Sequence, residues 1–376
     1  MNILHIFSYF RPDFTGEGIY FEKMQKHLLE KGVQTQILVV RTRKPTEAIS
    51  HHDLDGKITY LQPNDEGGLK TSWRLGLWLA RNVRRYDAVH MHCQVDRYFA
   101  APLVCRLLGV NCFQSCTLDD SPDEIAEGYD RKWRWLARRL VRLITVYIAI
   151  SPKLYDSSRK TVSEKQTVLI PQGVQIPNLI ASVRSEERRR HGYDPDDIIL
   201  LFVGGICKRK GVDFLIEAMP ALLNHHQETH LLIVGPVLED DYARDLKIRT
   251  KALGLEERVC FAGTMDELEN IYQLSDILVF ASHQEGFGNV LLEAMAHGLP
   301  VVSRRLVGVT DYFIEHDKTG FLFDNGQEYV EILETLIDNP EHNLSIGDAA
   351  RKDVRKNFEI SEIAQRYVDL YTNNNA

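Results

Sequence analysis

Along this chain, apolar runs of five to seven residues alternate with stretches whose apolar positions recur at helical spacing. In the first half, NILHIFSYF reads as a strand, followed by a Gly-containing turn and an amphipathic helix predicted from Ile19 to Lys31, closed by Gly32. QTQILVV, DAVHMH and ITVYIAI read as further strands. The second half repeats the theme with ILLFVGG, a helix from Val212, HLLIVGP, a helix over 240–253, RVCFAG, a helix over 266–275 and DILVFAS. A helix over 289–297, strands PVVS and GFLF and two final helices complete it. Strands that are apolar throughout, rather than alternating, belong to parallel sheets covered on both faces. The pattern predicts two doubly wound α/β units with a boundary near 174–182, within VQIPNLIAS. Open parallel sheets bind ligands at the carboxyl ends of their strands, so the chemistry is expected in loops that follow strands.

Composition fits that picture. A chain of 376 residues exceeds what one compact core organises and agrees with two domains. Its 44% hydrophobic and 26% charged residues are those of a globular chain in water. No apolar run approaches the roughly 18 residues of a membrane span. The opening MNILHIFSYF lacks a basic leader and a small-residue cleavage site and runs into Arg11-Pro12-Asp13. It reads as a strand rather than a signal peptide, and a cytoplasmic location is expected.

The six cysteines, at 93, 105, 112, 116, 207 and 260, form no C-x-x-C pair and no zinc-spaced ladder, which points to reduced thiols. His90 and His92 make an H-x-H with no evident third ligand nearby, so they read as strand-end polar residues and no metal site is predicted. Charge divides unevenly: residues 1–176 carry 25 Lys+Arg against 19 Asp+Glu, and the remainder 20 against 34. A basic half joined to an acidic half suggests different partners for each.

The densest chemistry follows DILVFAS, which ends at Ser282. The loop HQEGFG leads into a helix predicted to be capped by Asn289 and stopped at Gly298-Leu299-Pro300. Glu285 then lies in the loop and Glu293 about one turn into the helix. The amides of Gly288, Asn289 and Val290 sit at a helix start, which favours an anionic phosphate. Gly286 and Gly288 admit a ligand close to the backbone. Two carboxylates there suit sugar hydroxyls, because a carboxylate only accepts and takes a vicinal pair of OH donors. Singly, each glutamate is better explained as a solvated loop or helix-surface residue; as an assembled string they are not.

EGFGNVLLEAMAHGLPVV resembles the Glu-x7-Glu signature of retaining GT-B glycosyltransferases of family 4, and the resemblance extends over nearly all of 198–325 and more diffusely before 175. It implies a GT-B fold, two Rossmann-like domains facing a central cleft. Residues 1–176 would form the acceptor-side domain, with the C-terminal helix 360–376 packing on it, and residues 177–359 the donor domain. FVGGICKRKGVDFLIEA is similar to the family segment that places Lys210 on the donor diphosphate, where positive charge favours a leaving diphosphate. The resemblance also implies Glu293 on the ribose and Glu285 with Phe287, Gly288 and Asn289 on the sugar. The backbone from Phe261 through Gly263 to Thr264 would hold the base. The family's Arg five residues before the Lys is here Gly205, leaving Lys208 or Arg209 to supply the charge, unless KRK is a solvated basic turn.

In the first half, Gly16-Glu17-Gly18 resembles the family's glycine loop, which approaches the donor phosphate. Many members place a His after a mid-domain strand; here CFQSCTLDDSP offers Cys116, Thr117, Asp119 and Asp120 instead. Its carboxylates either receive the acceptor proton or belong to a polar loop. Ser151 resembles the Ser of the family's AISP segment and reads equally as a helix cap or a substrate contact, and Gln172 stands where Asn is usual. In RKWRWLARRLVRL, 131–143, Trp133, Leu136, Ala137, Leu140 and Leu143 form an apolar stripe flanked by Arg131, Lys132, Arg134, Arg138, Arg139 and Arg142. Such a helix either lies on an anionic membrane surface or faces the core with a solvated basic flank. Nucleic-acid binding is not expected at a net charge of −8 without a recognition motif.

The reading is a retaining, metal-independent, peripheral glycosyltransferase that needs no cofactor. It would move a sugar from a UDP- or GDP-linked donor to a glycan, lipid-linked or other cell-envelope acceptor, as in polysaccharide biosynthesis. Rival readings are a nucleotide-sugar epimerase of the same fold and a related binding or scaffold protein weakened in chemistry. A nicotinamide-dependent dehydrogenase is remote, because no G-x-G-x-x-G opens a helix after a strand with an acidic residue about 20 further on.

Overall fold

A computed structural model of the protein describes residues 1–10, 16–40, 58–61, 69–92, 100–116, 139–160, 162–265 and 268–373. The chain divides into two units, Met1–Gly173 with Ile360–Ala376, and Val174–Glu359. Among the described residues, no helix is long and apolar enough to cross a membrane.

The first unit is a parallel sheet of β1 (Asn2–Phe7), β2 (Gln34–Val39), β3 (Ile58–Tyr60), β4 (Ala88–His92), β5 (Asn111–Cys116), β6 (Val146–Ala149) and β7 (Thr167–Leu169). Their order is β3-β2-β1-β4-β5-β6-β7. Successive side chains of a strand point to opposite faces, and β1 shows the consequence. Ile3 and Phe7 pack with Phe21, Met24 and Leu28 of α1 (Gly16–Glu30) and with Ile363, Tyr367 and Tyr371 near the C-terminus. Leu4 and Ile6 pack on the other face with Leu75 and Leu79 of α2 (Leu69–Asn82) and with Ala101 and Cys105 of α3 (Ala100–Leu108). Near β7 the short α4 (Pro152–Ser158) follows β6. Helix α1 starts at Gly16, three residues earlier than its apolar period indicates, so Gly16, Glu17 and Gly18 form its first turn rather than a loop.

The second unit is likewise parallel: β8 (Ile198–Val203), β9 (Thr229–Val234), β10 (Val259–Gly263), β11 (Ile277–Phe280), β12 (Val301–Arg304) and β13 (Phe321–Phe323), ordered β10-β9-β8-β11-β12-β13. In chain order its helices are α5 (Ala181–Arg190), α6 (Val212–Leu223), α7 (Asp240–Ala252), α8 (Leu268–Leu274), α9 (Asn289–Ala296), α10 (Gly326–Asp338) and α11 (Pro340–Asn357). Both sheets reverse strand order beside their first strand, the switch point where open α/β sheets bind ligands.

After β13 come three helices, where the apolar pattern suggested two. Pro340, which suits a first helical position, starts α11 after the break at Asn339. The last helix, α12 (Ile360–Asn373), belongs to the first unit. It lies so close over Gly173 that a Cβ there would stand 2.7 Å from Ile360 Cα.

Strands β8 and β9 run in register from Ile198 against Thr229 to Val203 against Val234 and end in backbone contact. Gly235 has φ 144°, and a Cβ on it would stand 2.0 Å from Gly204 O. Neither the dihedral nor the gap admits a side chain. Gly235→Ala is expected to cost about 2–3 kcal/mol, a fall in melting temperature of roughly 5–10 °C, measurable by calorimetry. An unchanged melting temperature would refute this account of the β8–β9 contact.

Candidate active site

The loops after β8 and β11 meet at one end of the second sheet. Past Gly204 and Gly205 the chain makes a single 3-10 turn, Lys208–Lys210, ending on Gly211 at φ 64°. A Cβ on Gly211 would stand 2.4 Å from Ala281 O, so the turn is held against the end of β11 by backbone contact. The His283 amide then donates to Arg209 O at 2.8 Å. From this turn two cations reach one carboxylate. Lys210 Nζ donates to Glu285 Oε1 at 2.6 Å, and Arg209 Nη1 lies 2.9 Å from the same oxygen while donating to Gln284 O at 2.6 Å. The Glu285 side chain is 9% exposed and Lys210 13%, against 31% for Arg209. Charges this enclosed are tolerated because they are paired. The Lys210 ammonium also stands 5.5 Å above the Phe280 ring. Lys208, by contrast, is exposed, and its amide donates to Glu239 Oε2.

Gly205, in the place of the family's Arg, is buried; a Cβ there would stand 2.4 Å from Leu238 Cδ1. That space is filled by leucine, and the second cation comes from Arg209 instead.

Beyond Glu285, Gly286 and Phe287 are buried and Gly288 takes φ 99° as the N-cap of α9. Asn289 is therefore the first helical residue and not the cap expected of it, because the left-handed glycine already turns the chain into the helix. Its Oδ1, like Ser282 Oγ, is buried without a hydrogen-bond partner. Such atoms cost about 1–3 kcal/mol each unless water or a ligand meets them. The first-turn amides of Asn289 and half-buried Val290 have no carbonyl within the helix to bond. Glu293, one turn on, accepts a hydrogen bond from Tyr272 OH at 2.9 Å. The Tyr272 ring stacks on His297, with centroids 4.8 Å apart, and His297 Nδ1 lies 2.7 Å from Glu293 O. Burial, then the Glu293 charge, push the Tyr272 phenol well above its usual range. Sequence reasoning missed Tyr272; its one signal was its place on the helix just before DILVFAS. On β10 the register slips between Phe261 and Gly263, and Gly263 O accepts from the Gly235 amide at 2.8 Å. Phe261 is half-buried, while Gly263 and Thr264 are exposed.

In the first unit, Ser151 is buried and caps α4, accepting from the Leu154 amide at 3.5 Å with Pro152 following. Gly16 is exposed and Gly18 buried. Cys116 closes β5, and Thr117, Asp119 and Asp120 lie outside the described residues. So do 131–138 of the basic stretch; of the rest, Leu140 and Leu143 are half-buried, Arg139 and Arg142 exposed, and Val141, outside the expected stripe, is buried.

The H-x-H does have a third imidazole nearby, contrary to the sequence reading. Strand β1 lies beside β4 with His5 opposite His90. Among the described residues, one ring nitrogen from each of His5, His90 and His92 falls within 4.8 Å of the others. These rings are already hydrogen-bonded. His92 bonds His5 Nδ1 at 3.0 Å and Glu17 Oε1 at 2.9 Å, and His90 bonds Tyr371 OH at 2.6 Å and Ser115 Oγ at 2.7 Å. Gln172 Nε2 donates to Glu17 Oε2 at 2.9 Å, which gives Gln172 a role that its sequence position did not suggest. The His90 and His92 ring centroids lie 4.0 Å apart, with the rings tilted by 32°. Burial lowers His92 to about 3 and holds His5 and His90 well below the usual imidazole range. Burial also raises Glu17 to about 7, against which the Gln172 hydrogen bond works.

Two Rossmann-like parallel-sheet units, the second carrying an acid-and-cation cluster beside a helix start, define a GT-B transferase. Two family models match, Glycosyltransferase Family 4 over residues 14–176 and Glycosyl transferases group 1 over 183–353. The chain belongs to the group 1 glycosyltransferases and is a transferase enzyme. It is 26% identical to the N-acetyl-alpha-D-glucosaminyl L-malate synthase of Bacillus anthracis over 376 aligned residues, covering 96% of this chain and 94% of that one. It is 28% identical to the alpha-D-kanosaminyltransferase of Streptomyces kanamyceticus over 329 residues, covering 81% and 83%. Among solved structures, that of Anabaena HepE in complex with UDP and glucose superposes with a TM-score of 0.81 at 20% identity, over 99% of this chain and 100% of that one.

The Glu17 shift has a signed consequence. Its carboxyl titrates near 7 folded and near 4.5 unfolded, so between those values the folded state keeps a proton that the unfolded state has lost. This group therefore destabilises the fold progressively as pH rises through that window, by up to about 3 kcal/mol above it. Glu17→Gln should melt higher than the parent at pH 8 and gain nothing at pH 4. Parallel melting curves for the two proteins across that range would contradict the assignment.

Proposed function

We propose that this enzyme transfers a sugar, with retention of configuration and without a metal, from a UDP- or GDP-linked donor to a glycan, lipid-linked or other cell-envelope acceptor on the cytoplasmic side. The observation that carries this reading is Glu285 Oε1, shared by Lys210 and Arg209 beside the start of α9. When the donor binds, the two cations and the amides at 288–290 receive the diphosphate, and Glu285 with Phe287 and Asn289 takes sugar hydroxyls. Glu293, steadied by Tyr272, takes the ribose pair, and the slipped backbone from Phe261 to Thr264 holds the base. As the bond from the sugar to the diphosphate breaks, negative charge grows on the leaving oxygen. Positive charge fixed there in advance stabilises the transition state more than the ground state, in the role a divalent cation would otherwise fill. The UDP and glucose bound by HepE support a nucleotide-sugar donor here, and the sugar-transferring relatives support turnover over donor binding alone.

A thermal-shift series with UDP-, GDP- and ADP-linked sugars tests the donor. A donor at about 100 times its Kd adds about 2.7 kcal/mol of stability, and a flat response to all three would sink the proposal. Lys210→Ala and Glu285→Gln should each lower kcat at least about 100-fold. Tyr272→Phe should raise KM several-fold and leave kcat nearly unchanged. Transfer or donor hydrolysis that survives Lys210→Ala would overturn the site, and an epimer formed without acceptor would point to the epimerase reading.

A further inference from the structure

The face of α2 turned away from the first sheet carries large apolar and basic side chains together. Leu75, Gly76 and Leu79 face inward, and Gly76 packs so closely on α3 that a Cβ there would stand 2.9 Å from Ala100 Cβ. The opposite face presents Trp73, 57% exposed, and Leu77, 56% exposed, one turn apart, with exposed Ala80 beside them. The two helices run side by side in the same direction. The Ala100 amide donates to Ser72 Oγ at the start of α2, and further along α3 also touches the turn Val83–Arg85 that follows α2. This brings Leu107 of α3, 74% exposed, level with the far end of α2.

Around these apolar groups stand Arg74, Arg81, Arg84, Arg85 and Arg106, all exposed. Across 71–92 and 100–116 the single carboxylate is Asp87, which accepts from the Asn2 amide at 2.7 Å. Exposed tryptophan and leucines within a field of arginines, on two adjoining helices, make a surface that is apolar at its centre and positive around it.

We propose that this α2–α3 face docks the enzyme on an anionic lipid bilayer, with Trp73, Leu77 and Leu107 entering the headgroup–acyl boundary and the arginines meeting lipid phosphates. A second copy of the chain is the poorer occupant, because a two-fold contact through this face would set the same arginines against one another. The proposal gives the lipid-linked acceptor of the preceding reading a place to be met. Its test does not use turnover, so either reading can fail alone.

The protein would be floated on phosphatidylcholine vesicles with and without phosphatidylglycerol. It should float with the anionic vesicles alone and be released by high salt. Two double variants, Leu77→Ser with Leu107→Ser and Arg81→Glu with Arg84→Glu, change exposed positions and should keep the parent melting temperature. Each should lower anionic-vesicle binding roughly tenfold or more. Failure of the parent to float overturns the proposal, as does equal binding by parent and variants, which would put the membrane contact elsewhere. A parent that is dimeric by sedimentation, with both variants monomeric, would assign the face to a second copy instead.

Discussion

One carboxylate oxygen shared by two cations holds the candidate site in shape. Glu285 is nearly enclosed, and ionised carboxylates rarely enter a protein interior without partners. Lys210 and Arg209 supply those partners, and they reach it because Gly211 lets the preceding turn lie directly on Ala281 O. The same economy of space recurs at Gly204 and Gly235, where β8 and β9 end in backbone contact. Side chains at these glycines would lift the loops apart and unpair the acid. The ion cluster and the glycines are therefore one constraint, and the start of α9 inherits its position from it.

Much of this was legible in the sequence because parallel strands are apolar on both faces and helices declare a 3.6-residue period. The strands of the second sheet, and β1, β2, β4 and β6 of the first, fall where the apolar runs lie, whereas the short β3 and β7 and the more polar β5 were not marked by such runs. The site string was legible because its parts are local: loop, helix start and both glutamates lie within a dozen residues of one another. Errors clustered where backbone conformation decides. Asn289 has the chemistry of a cap, yet Gly288 takes the left-handed turn and the cap position. In the basic stretch before residue 144 only 139–143 are described, and among those Val141, outside the expected stripe, is the buried one.

What stayed hidden depends on strand order, which no local pattern encodes. His5 and His90 are 85 positions apart and become neighbours because β4 lies beside β1. Gln172 reaches Glu17 from 155 residues away. The resulting line of groups also has a proton count. If Glu17 is ionised, it accepts from His92 Nδ1, His92 Nε2 accepts from His5 Nδ1, and His5 Nε2 is left as a bare acceptor. If Glu17 is protonated, every bond in the line can reverse and His5 Nε2 becomes a bare donor. His5 Nε2 has no partner in either case, so the protonation state of Glu17 is not fixed by satisfaction at the far end. Burial, opposed by the Gln172 hydrogen bond, raises its pKa to about 7.

The absence of an arginine at 205 is best understood through the same packing. An arginine there would have to displace Leu238, whose Cδ1 already occupies the first ångströms of its path. Arg209, four residues on, begins from the 3-10 turn instead and reaches Glu285 from the side on which Lys210 already stands. Two cations therefore act on a single oxygen of Glu285. Neither the charge at the site nor the pairing of Glu285 requires an arginine at its usual position. The cation need only begin from a backbone segment anchored as firmly as the strand end, and the contact between Gly211 and Ala281 provides that anchor.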